Sequence, residues 1–229
     1  MTIEVREQPG EQPSEQPRVC VIQGGGRPRG NTYHLCQAAA HGATAAGAEV
    51  RSLSLVGKRI SPCLGYACDH CRTNGGDCRI DDDFHAIYRE VLASDGIIIA
   101  SPVYVGTVSA QLKAFMERFR AGSIGALFHG MRDPLRDKVG GALCVGIHPY
   151  GGQEFALQSI INFFLAEEMI VVGGDTPNAY FGAAGESGAQ GPHPCPPDSI
   201  LDSHRALEAA RTVGTRVATI ARALMRHVN

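Results

Sequence analysis

The chain has 229 residues, of which 44 % are hydrophobic and 19 % are charged, with a formal net charge of −2. These values are typical of one globular α/β domain. Lysine and arginine form no block and tryptophan is absent, so we expect no nucleic-acid partner. No apolar run approaches the roughly 20 residues of a membrane span, so we expect no membrane partner and a reducing, cytoplasmic location.

The N-terminal stretch differs in composition from the rest of the chain. It repeats Glu-Gln-Pro three times and contains no apolar segment. This pattern is typical of a disordered arm, and it fits neither a signal peptide nor a strand. We therefore predict a disordered arm over residues 1–17 and a single domain over residues 18–229.

Apolar β-rich runs then alternate with helical patterns, which favours a parallel sheet covered by helices. The predicted strands are Arg18–Gln23, Glu49–Leu55, Gly96–Ala100, Val139–Ile147 and Met169–Val172. Helices are predicted to begin near Asn31, Asp82, Ser109 and Gln153, and a long amphipathic helix over about residues 199–227 ends the chain. This order fits a flavodoxin-like, doubly wound, five-stranded parallel sheet. In such a sheet, ligands bind where the loops after strands one, three and four meet.

The loop after the first predicted strand is rich in glycine and arginine. It reads GGGRPRGNT over residues 24–32 and leads directly into a helix that Asn31 or Thr32 can cap. The glycines allow a ligand to approach the backbone, and the helix N-terminus offers unpaired N–H groups. Arg27 and Arg29 can add charged hydrogen bonds. The pattern favours a monophosphate site; the alternative is a flexible surface turn.

The loops after the third and fourth predicted strands carry exposed aromatic residues and glycines. They read SPVYVGT from residue 101 and HPYGGQE from residue 148. Such loops can border a planar ring while their amides face its polar edge. The residues expected to do so are Pro102, Val103, Tyr104, Val105, Gly106, Tyr150, Gly151 and Gly152. Together the three loops predict a flat ligand that carries a phosphate.

A four-cysteine stretch lies between the second predicted strand and the next helix. CLGYACDHCRTNGGDC contains Cys63, Cys68, Cys71 and Cys78. Four thiolates on one loop can bind a tetrahedral zinc ion or a cubane iron-sulfur cluster, because both require four converging soft ligands. We therefore predict a metal-binding loop over residues 61–80. Two disulfides, or four unrelated reduced cysteines, are the alternatives.

The motifs in combination resemble one known family. GGGRPRGNT, the cysteine loop followed by IDDD, SPVYVGTVSAQLKAF, and GGQE ahead of MIVVGG are similar to iron-sulfur flavoproteins of the NADPH-dependent FMN reductase superfamily, over about residues 18–175. Arg27, Asn31 and Thr32 match the family's first loop, and Gly25 stands where a phosphate-binding serine is usual.

The resemblance implies specific cofactors and an assembly. The implied fold is flavodoxin-like and the implied assembly is a homodimer or homotetramer. The implied cofactors are FMN at the loop ends and a [4Fe-4S] cluster on Cys63, Cys68, Cys71 and Cys78. The family motif has two residues between its first two cysteines and this chain has four, and zinc is kept as the alternative metal. The cofactor-binding residues are Gly25, Arg27, Asn31 and Thr32, with the loop residues named above.

The expected activity follows from these cofactors. We predict an FMN-dependent oxidoreductase that transfers a hydride between a small cyclic substrate and the flavin, while the cluster passes single electrons to an acceptor protein. A branch of the family in secondary metabolism, including antibiotic biosynthesis, dehydrogenates 2-amino-4-deoxychorismate to an enolpyruvoyl-anthranilate, which is the specific substrate prediction. The alternatives are an NAD(P)H-dependent FMN or quinone reductase, a non-enzymatic electron-transfer flavoprotein, and a zinc-stabilised binding module. We assign no catalytic acid or base, because the flavin carries the chemistry.

Overall fold

The structure is a computed structural model that describes residues 16–188 and 196–227. The predicted N-terminal arm lies, up to residue 15, outside the described residues.

A parallel sheet forms the centre of the molecule, with strand order β2-β1-β3-β4-β5 and β6 paired to β4. The strands are β1 (Arg18–Gln23), β2 (Glu49–Ser54), β3 (Gly96–Pro102), β4 (Val139–Gly146), β5 (Ile170–Val171) and β6 (Ala183–Glu186). The residues of β4 are all buried, and those of β1 and β3 nearly all, as expected for parallel strands with helices on both faces. The flavodoxin-like α/β fold class is thereby confirmed, with one additional strand.

The edge of the sheet beyond β4 differs from the prediction. The fifth strand is only two residues long and pairs with the start of β4, whereas β6 pairs with its end. The sequence of β6, AAGE, has low strand propensity, so the sequence analysis missed it. It pairs because the backbone groups in the second half of β4 need partners.

Two helical layers cover the sheet. The helices are α1 (Asn31–Ala45), α2 (His70–Thr73), α3 (Phe84–Leu92), α4 (Ala110–Arg118), α5 (Arg120–His129), α6 (Gln153–Ala166) and α7 (His204–His227). Side chains of α1 and α7 pack on one face of the sheet, and those of α3, α4 and α6 pack on the other. Within the described ranges, no helix has the length and apolar character needed to span a bilayer.

Two helical predictions need correction. The C-terminal helix begins at His204, because Ser199–Asp202 forms a separate 3-10 turn before it. The sequence analysis missed α5, whose segment RAGSIGALFH contains two glycines that weaken a helical pattern.

The strand order determines where a ligand can enter. β1 and β3 are neighbours, and the helices that follow them, α1 and α4, lie on opposite faces of the sheet. The chain therefore leaves a crevice beyond the carboxyl ends of these two strands, which is the usual binding position in this class of sheet.

Candidate functional site

The loop between β1 and α1 is held by a buried glutamine at the end of β1. Gln23 Nε2 donates to the carbonyl oxygen of Arg27 at 2.6 Å, and Gln23 Oε1 accepts from the Ser54 hydroxyl at 3.2 Å. The Gly24 N–H donates to the carbonyl oxygen of Ala100 in β3 at 2.7 Å. These bonds fix the loop at both ends.

The helix that follows this loop begins without a side-chain cap. Its N-cap is Gly30, not Asn31 or Thr32 as predicted, and glycine has no side chain that could accept a hydrogen bond. The N–H groups of the first helical turn have no partner within the helix, so they are available to an anion. A Cβ on Gly25 would lie 3.2 Å from Thr32 Cβ, so the loop packs closely on this turn.

Two buried serines, which the sequence analysis missed, join this loop to the loop after β3. Ser109 Oγ donates to the carbonyl oxygen of Gly24 at 2.7 Å and caps α4 by accepting from Leu112 N–H at 3.2 Å. Ser101 Oγ accepts from the Ser109 N–H at 3.0 Å. Only the position of Ser109 before a helical pattern could have indicated a cap from sequence.

A cleft of about 230 Å³ opens where these loops meet, beyond the carboxyl ends of β1, β3 and β4. The predicted residues that line it are Gly25, Arg27, Asn31, Thr32, Pro102, Val103 and Tyr104. The lining residues that were not predicted are Gly26, Gly30, Val145, Ile147 and Ser187. The cleft thus joins the predicted phosphate loop to the loop after β3.

The remaining predicted residues, Val105, Gly106, Tyr150, Gly151 and Gly152, lie outside this lining. Tyr104 and Thr107 close a tight turn through two backbone hydrogen bonds of 2.8 and 3.1 Å. Val105 and Gly106 inside the turn have φ angles of +50° and +77°. A Cβ on Gly152 would lie 2.7 Å from Gly106 Cα, so the loops after β3 and β4 touch through their backbones.

Asn31 connects the cleft to the C-terminal part of the chain. Its Oδ1 accepts from Ile200 N–H at 2.8 Å, and its Nδ2 donates to Pro196 O at 3.3 Å and Ser199 Oγ at 3.2 Å. The Ser199 hydroxyl also donates to the carbonyl oxygen of Ser187 in the cleft wall. The Asn31 side chain is therefore engaged by the protein, which leaves its backbone N–H as the group best able to meet a ligand.

The four predicted metal ligands line one small cavity of about 30 Å³. They are Cys63, Cys68, Cys71 and Cys78. All four are half-buried free thiols. Over residues 16–188 and 196–227, no three His, Cys, Asp or Glu side chains are placed to hold one metal ion.

The thiols of this cavity influence one another. Burial raises the pKa of the Cys71 thiol, and the nearby Cys63 and Cys78 raise it further. The Gly65 N–H donates to Cys63 Sγ at 3.3 Å. Because neighbouring ionised thiols repel one another, a positively charged centre between them would favour their thiolate forms.

A buried ion pair closes the cysteine loop at its two ends. Arg118 Nη1 lies 2.8 Å from Asp82 Oδ2, and both side chains are at most 1 % exposed. The same guanidinium donates to the carbonyl oxygens of Ser61 at 3.1 Å and Ile80 at 3.0 Å. Arg118 was not predicted from the sequence, because a helical arginine is usually exposed.

The carboxylate of this pair is satisfied on both oxygens. Asp82 Oδ2 accepts from Ser61 N–H at 2.8 Å, and Oδ1 accepts from Phe84 N–H at 3.1 Å. Burial raises the pKa of Asp82, but hydrogen bonds from Ser61, Arg118 and Phe84 outweigh it, so the pKa lies below its usual range. Asp82 is therefore a carboxylate at neutral pH.

Comparison with known proteins identifies the family of the chain. Residues 17–183 match the family described as NADPH-dependent FMN reductase. An iron-sulfur flavoprotein of Methanocaldococcus jannaschii is 42 % identical over 203 residues, which cover 89 % of this chain and 96 % of the relative. An NAD(P)H dehydrogenase (quinone) of Archaeoglobus fulgidus is 29 % identical over 199 residues, which cover 85 % of this chain and 93 % of the relative.

Solved structures support the fold. The flavodoxin, WrbA-like protein from Agrobacterium tumefaciens has a TM-score of 0.56 and 21 % identity, and the match covers 91 % of this chain and 99 % of that protein. The family resemblance predicted from the motifs is confirmed. The chain belongs to the NADPH-dependent FMN reductase family and is a flavodoxin-like, FMN-dependent oxidoreductase.

Proposed function

We propose that this oxidoreductase works with two cofactors, FMN in the cleft beyond β1, β3 and β4 and a [4Fe-4S] cluster in the cysteine cavity. The observation that carries the proposal is the convergence of Cys63, Cys68, Cys71 and Cys78 on one cavity in a chain of the FMN reductase family. When bound, FMN supplies hydride transfer and the cluster supplies one-electron transfer.

The cleft fits the phosphate end of FMN. The uncapped first turn of α1 offers backbone N–H groups, and Arg27 adds a positive charge beside them. Gly25 and Gly26 let a phosphate approach the main chain closely. Pro102, Val103 and Tyr104 form the opposite wall of the cleft, where the flavin ring would pack.

The cysteine cavity fits a cluster in its donor set. Four thiolates are the usual ligands of a [4Fe-4S] cluster, and Leu64, Ile80 and Ala121 supply apolar wall around them. The relative from Methanocaldococcus jannaschii, which carries the iron-sulfur flavoprotein name, supports this choice over zinc.

Anaerobic purification with metal and flavin analysis tests both cofactors. We expect about four irons and four sulfides per chain, as a cubane requires, together with FMN rather than FAD. Cys71→Ser should lose the cluster and keep FMN. The control Cys36→Ala changes a buried core thiol and should keep both cofactors. One zinc ion per chain after iron-replete expression would contradict the cluster.

For the substrate, we propose 2-amino-4-deoxychorismate as the hydride donor, as the motif resemblance implies. The chain's own contribution is to hold substrate over the flavin, and Tyr104, half-exposed at the cleft, is placed to orient it. The second candidate is an NAD(P)H-dependent quinone reductase, which the similarity to NAD(P)H dehydrogenase (quinone) favours.

Anaerobic stopped-flow mixing separates the two substrates. FMN-loaded protein is mixed with either 2-amino-4-deoxychorismate or NADPH, and flavin absorbance is followed. Rapid bleaching by the cyclohexadiene supports the dehydrogenase. Rapid bleaching by NADPH alone supports the reductase and overturns the dehydrogenase.

We also propose that the protein assembles into a homodimer or homotetramer and passes electrons to an acceptor protein. Large aromatic side chains with exposures of 70 % or more support an assembly through buried contacts, since such surface is costly in water. They are Tyr66, Tyr150, Phe155, Tyr180 and Phe181. Light scattering at micromolar concentration measures the assembly, and a monomeric mass would contradict it.

A further inference from the structure

Arg118 borders the cysteine cavity with one donor unused. Its two terminal nitrogens are engaged by Asp82, Ser61 and Ile80. Its Nε is buried, and within the described parts of the chain no acceptor lies at hydrogen-bond distance from it. The side chain forms part of the cavity wall with the four cysteines.

The orientation of this guanidinium is firmly set. Arg118 Cζ lies 4.6 Å from the centre of the Phe84 ring, and the loop ends at Ser61 and Ile80 hold the terminal nitrogens. A buried N–H without an acceptor is costly, and a buried cation favours negative charge nearby. Asp82 supplies one negative charge, and the cysteine cavity is where thiolates would supply more.

We propose that Arg118 tunes the cluster, with its Nε–H donating a hydrogen bond to a sulfur in the cavity and its charge favouring the reduced form. The inference rests on the proposed function, since it requires a cluster on the cysteine loop. The reduced cluster carries one more negative charge than the oxidised cluster. A cation in a site of low dielectric therefore raises the reduction potential.

Other positive charges near the loop differ from Arg118 in exposure. Arg120 lies over the Tyr66 ring at 5.7 Å and is exposed, and Arg72 pairs with Asp69 on the surface. Water and salt screen such charges strongly. Arg120→Met is therefore a matched control that removes a nearby but exposed guanidinium.

The test is an EPR-monitored redox titration of the cluster in the intact protein. Arg118→Lys keeps a positive charge for Asp82 but removes Nε. It should lower the equilibrium constant for cluster reduction about tenfold, which lowers the reduction potential by ~59 mV for a one-electron couple. Asp82→Asn removes the negative partner and should raise the potential. Arg120→Met should leave it unchanged.

The opposite signs separate electrostatic tuning from simple support of the loop, which would shift both variants in the same direction. An unchanged potential in Arg118→Lys, or shifts of one sign in both variants, would overturn the inference. If Arg118→Lys assembles no cluster, the Asp82→Asn titration decides. A raised reduction potential in Asp82→Asn supports the inference, and an unchanged one overturns it. A wild-type protein without iron overturns the proposed cluster itself, which is visible before any variant is made.

Discussion

The flavin cleft and the cysteine cavity are built in different ways. The cleft is bordered by strand ends and a helix N-terminus, and its loops are held by the backbone bond from Gly24 N–H to Ala100 O and by the buried side chains of Gln23 and Ser109. The cysteine loop contains only a three-residue 3-10 helix and the four-residue α2. Its ends are held by the side chains of Arg118 and Asp82. We therefore expect truncation of a side chain that faces the cleft to have a smaller effect than the loss of Arg118 or Asp82 from the cysteine loop.

The largest effect is expected from breaking the buried Arg118–Asp82 ion pair that holds the ends of the cysteine loop. Arg118→Met leaves the Asp82 carboxylate buried without its cation, which should lower the free energy of unfolding by about 3–5 kcal/mol. Denaturant unfolding measures the loss. Lys113→Met on the same helix removes an exposed ion pair with Glu117 and should cost at most about 1 kcal/mol. Equal losses of unfolding free energy in both variants would contradict a stabilising role for the buried ion pair.

The backbone contact between the loops after β3 and β4 gives the next effect. Gly152→Ala places a Cβ 2.7 Å from Gly106 Cα at a φ of +104°, so it should cost about 1–3 kcal/mol of stability and weaken FMN binding. Gly57→Ala has a similarly positive φ of +70° but nothing within 4 Å, so it measures backbone strain alone. Equal losses in the two variants would show that the loop contact contributes nothing.

Side-chain truncation in the phosphate loop should act more weakly. Arg27→Ala removes one charged donor from the cleft and should weaken FMN binding by about 1–3 kcal/mol. The value should lie at the lower end of this range, because Arg27 is exposed. Arg29→Ala changes an arginine outside the cleft lining and should have an effect near zero. Flavin fluorescence quenching measures both affinities. Unchanged affinity in Arg27→Ala would leave phosphate binding to the backbone alone.

The smallest expected effect is the loss, at acidic pH, of the stability that Asp82 contributes. Because the folded-state pKa of Asp82 lies below its ordinary value of 3.8, the contribution of Asp82 to stability is present above pH 3.8 and is lost as the pH falls through the folded pKa. The stability difference between the wild type and Asp82→Asn should therefore be constant near neutral pH and shrink below about pH 4. Urea unfolding across pH 3–7 measures it, and a constant difference throughout would contradict the assignment.

Much of the cleft could be predicted because its determinants are local. The glycines and arginines after β1 and the SPVY segment after β3 are contiguous in sequence, and parallel topology brings the ends of β1 and β3 together. Tyr150, Gly151 and Gly152 were expected beside the ligand, but Gly152 packs on Gly106 outside the cleft lining. Such a contact depends on loop conformation, which sequence patterns describe poorly.

The amino-acid sequence by itself determined strands β1 to β4, the glycine-rich anion loop and the cysteine cluster, because each depends on residues close together in the chain. Tertiary structure decided the rest. Arg118 meets Asp82 across 36 positions, and Asn31 meets Ile200 across 169. β6 forms because β4 has backbone groups to pair, although its own residues do not favour a strand. Pairings between distant residues arise only when packing brings the elements together, so local pattern carries no sign of them.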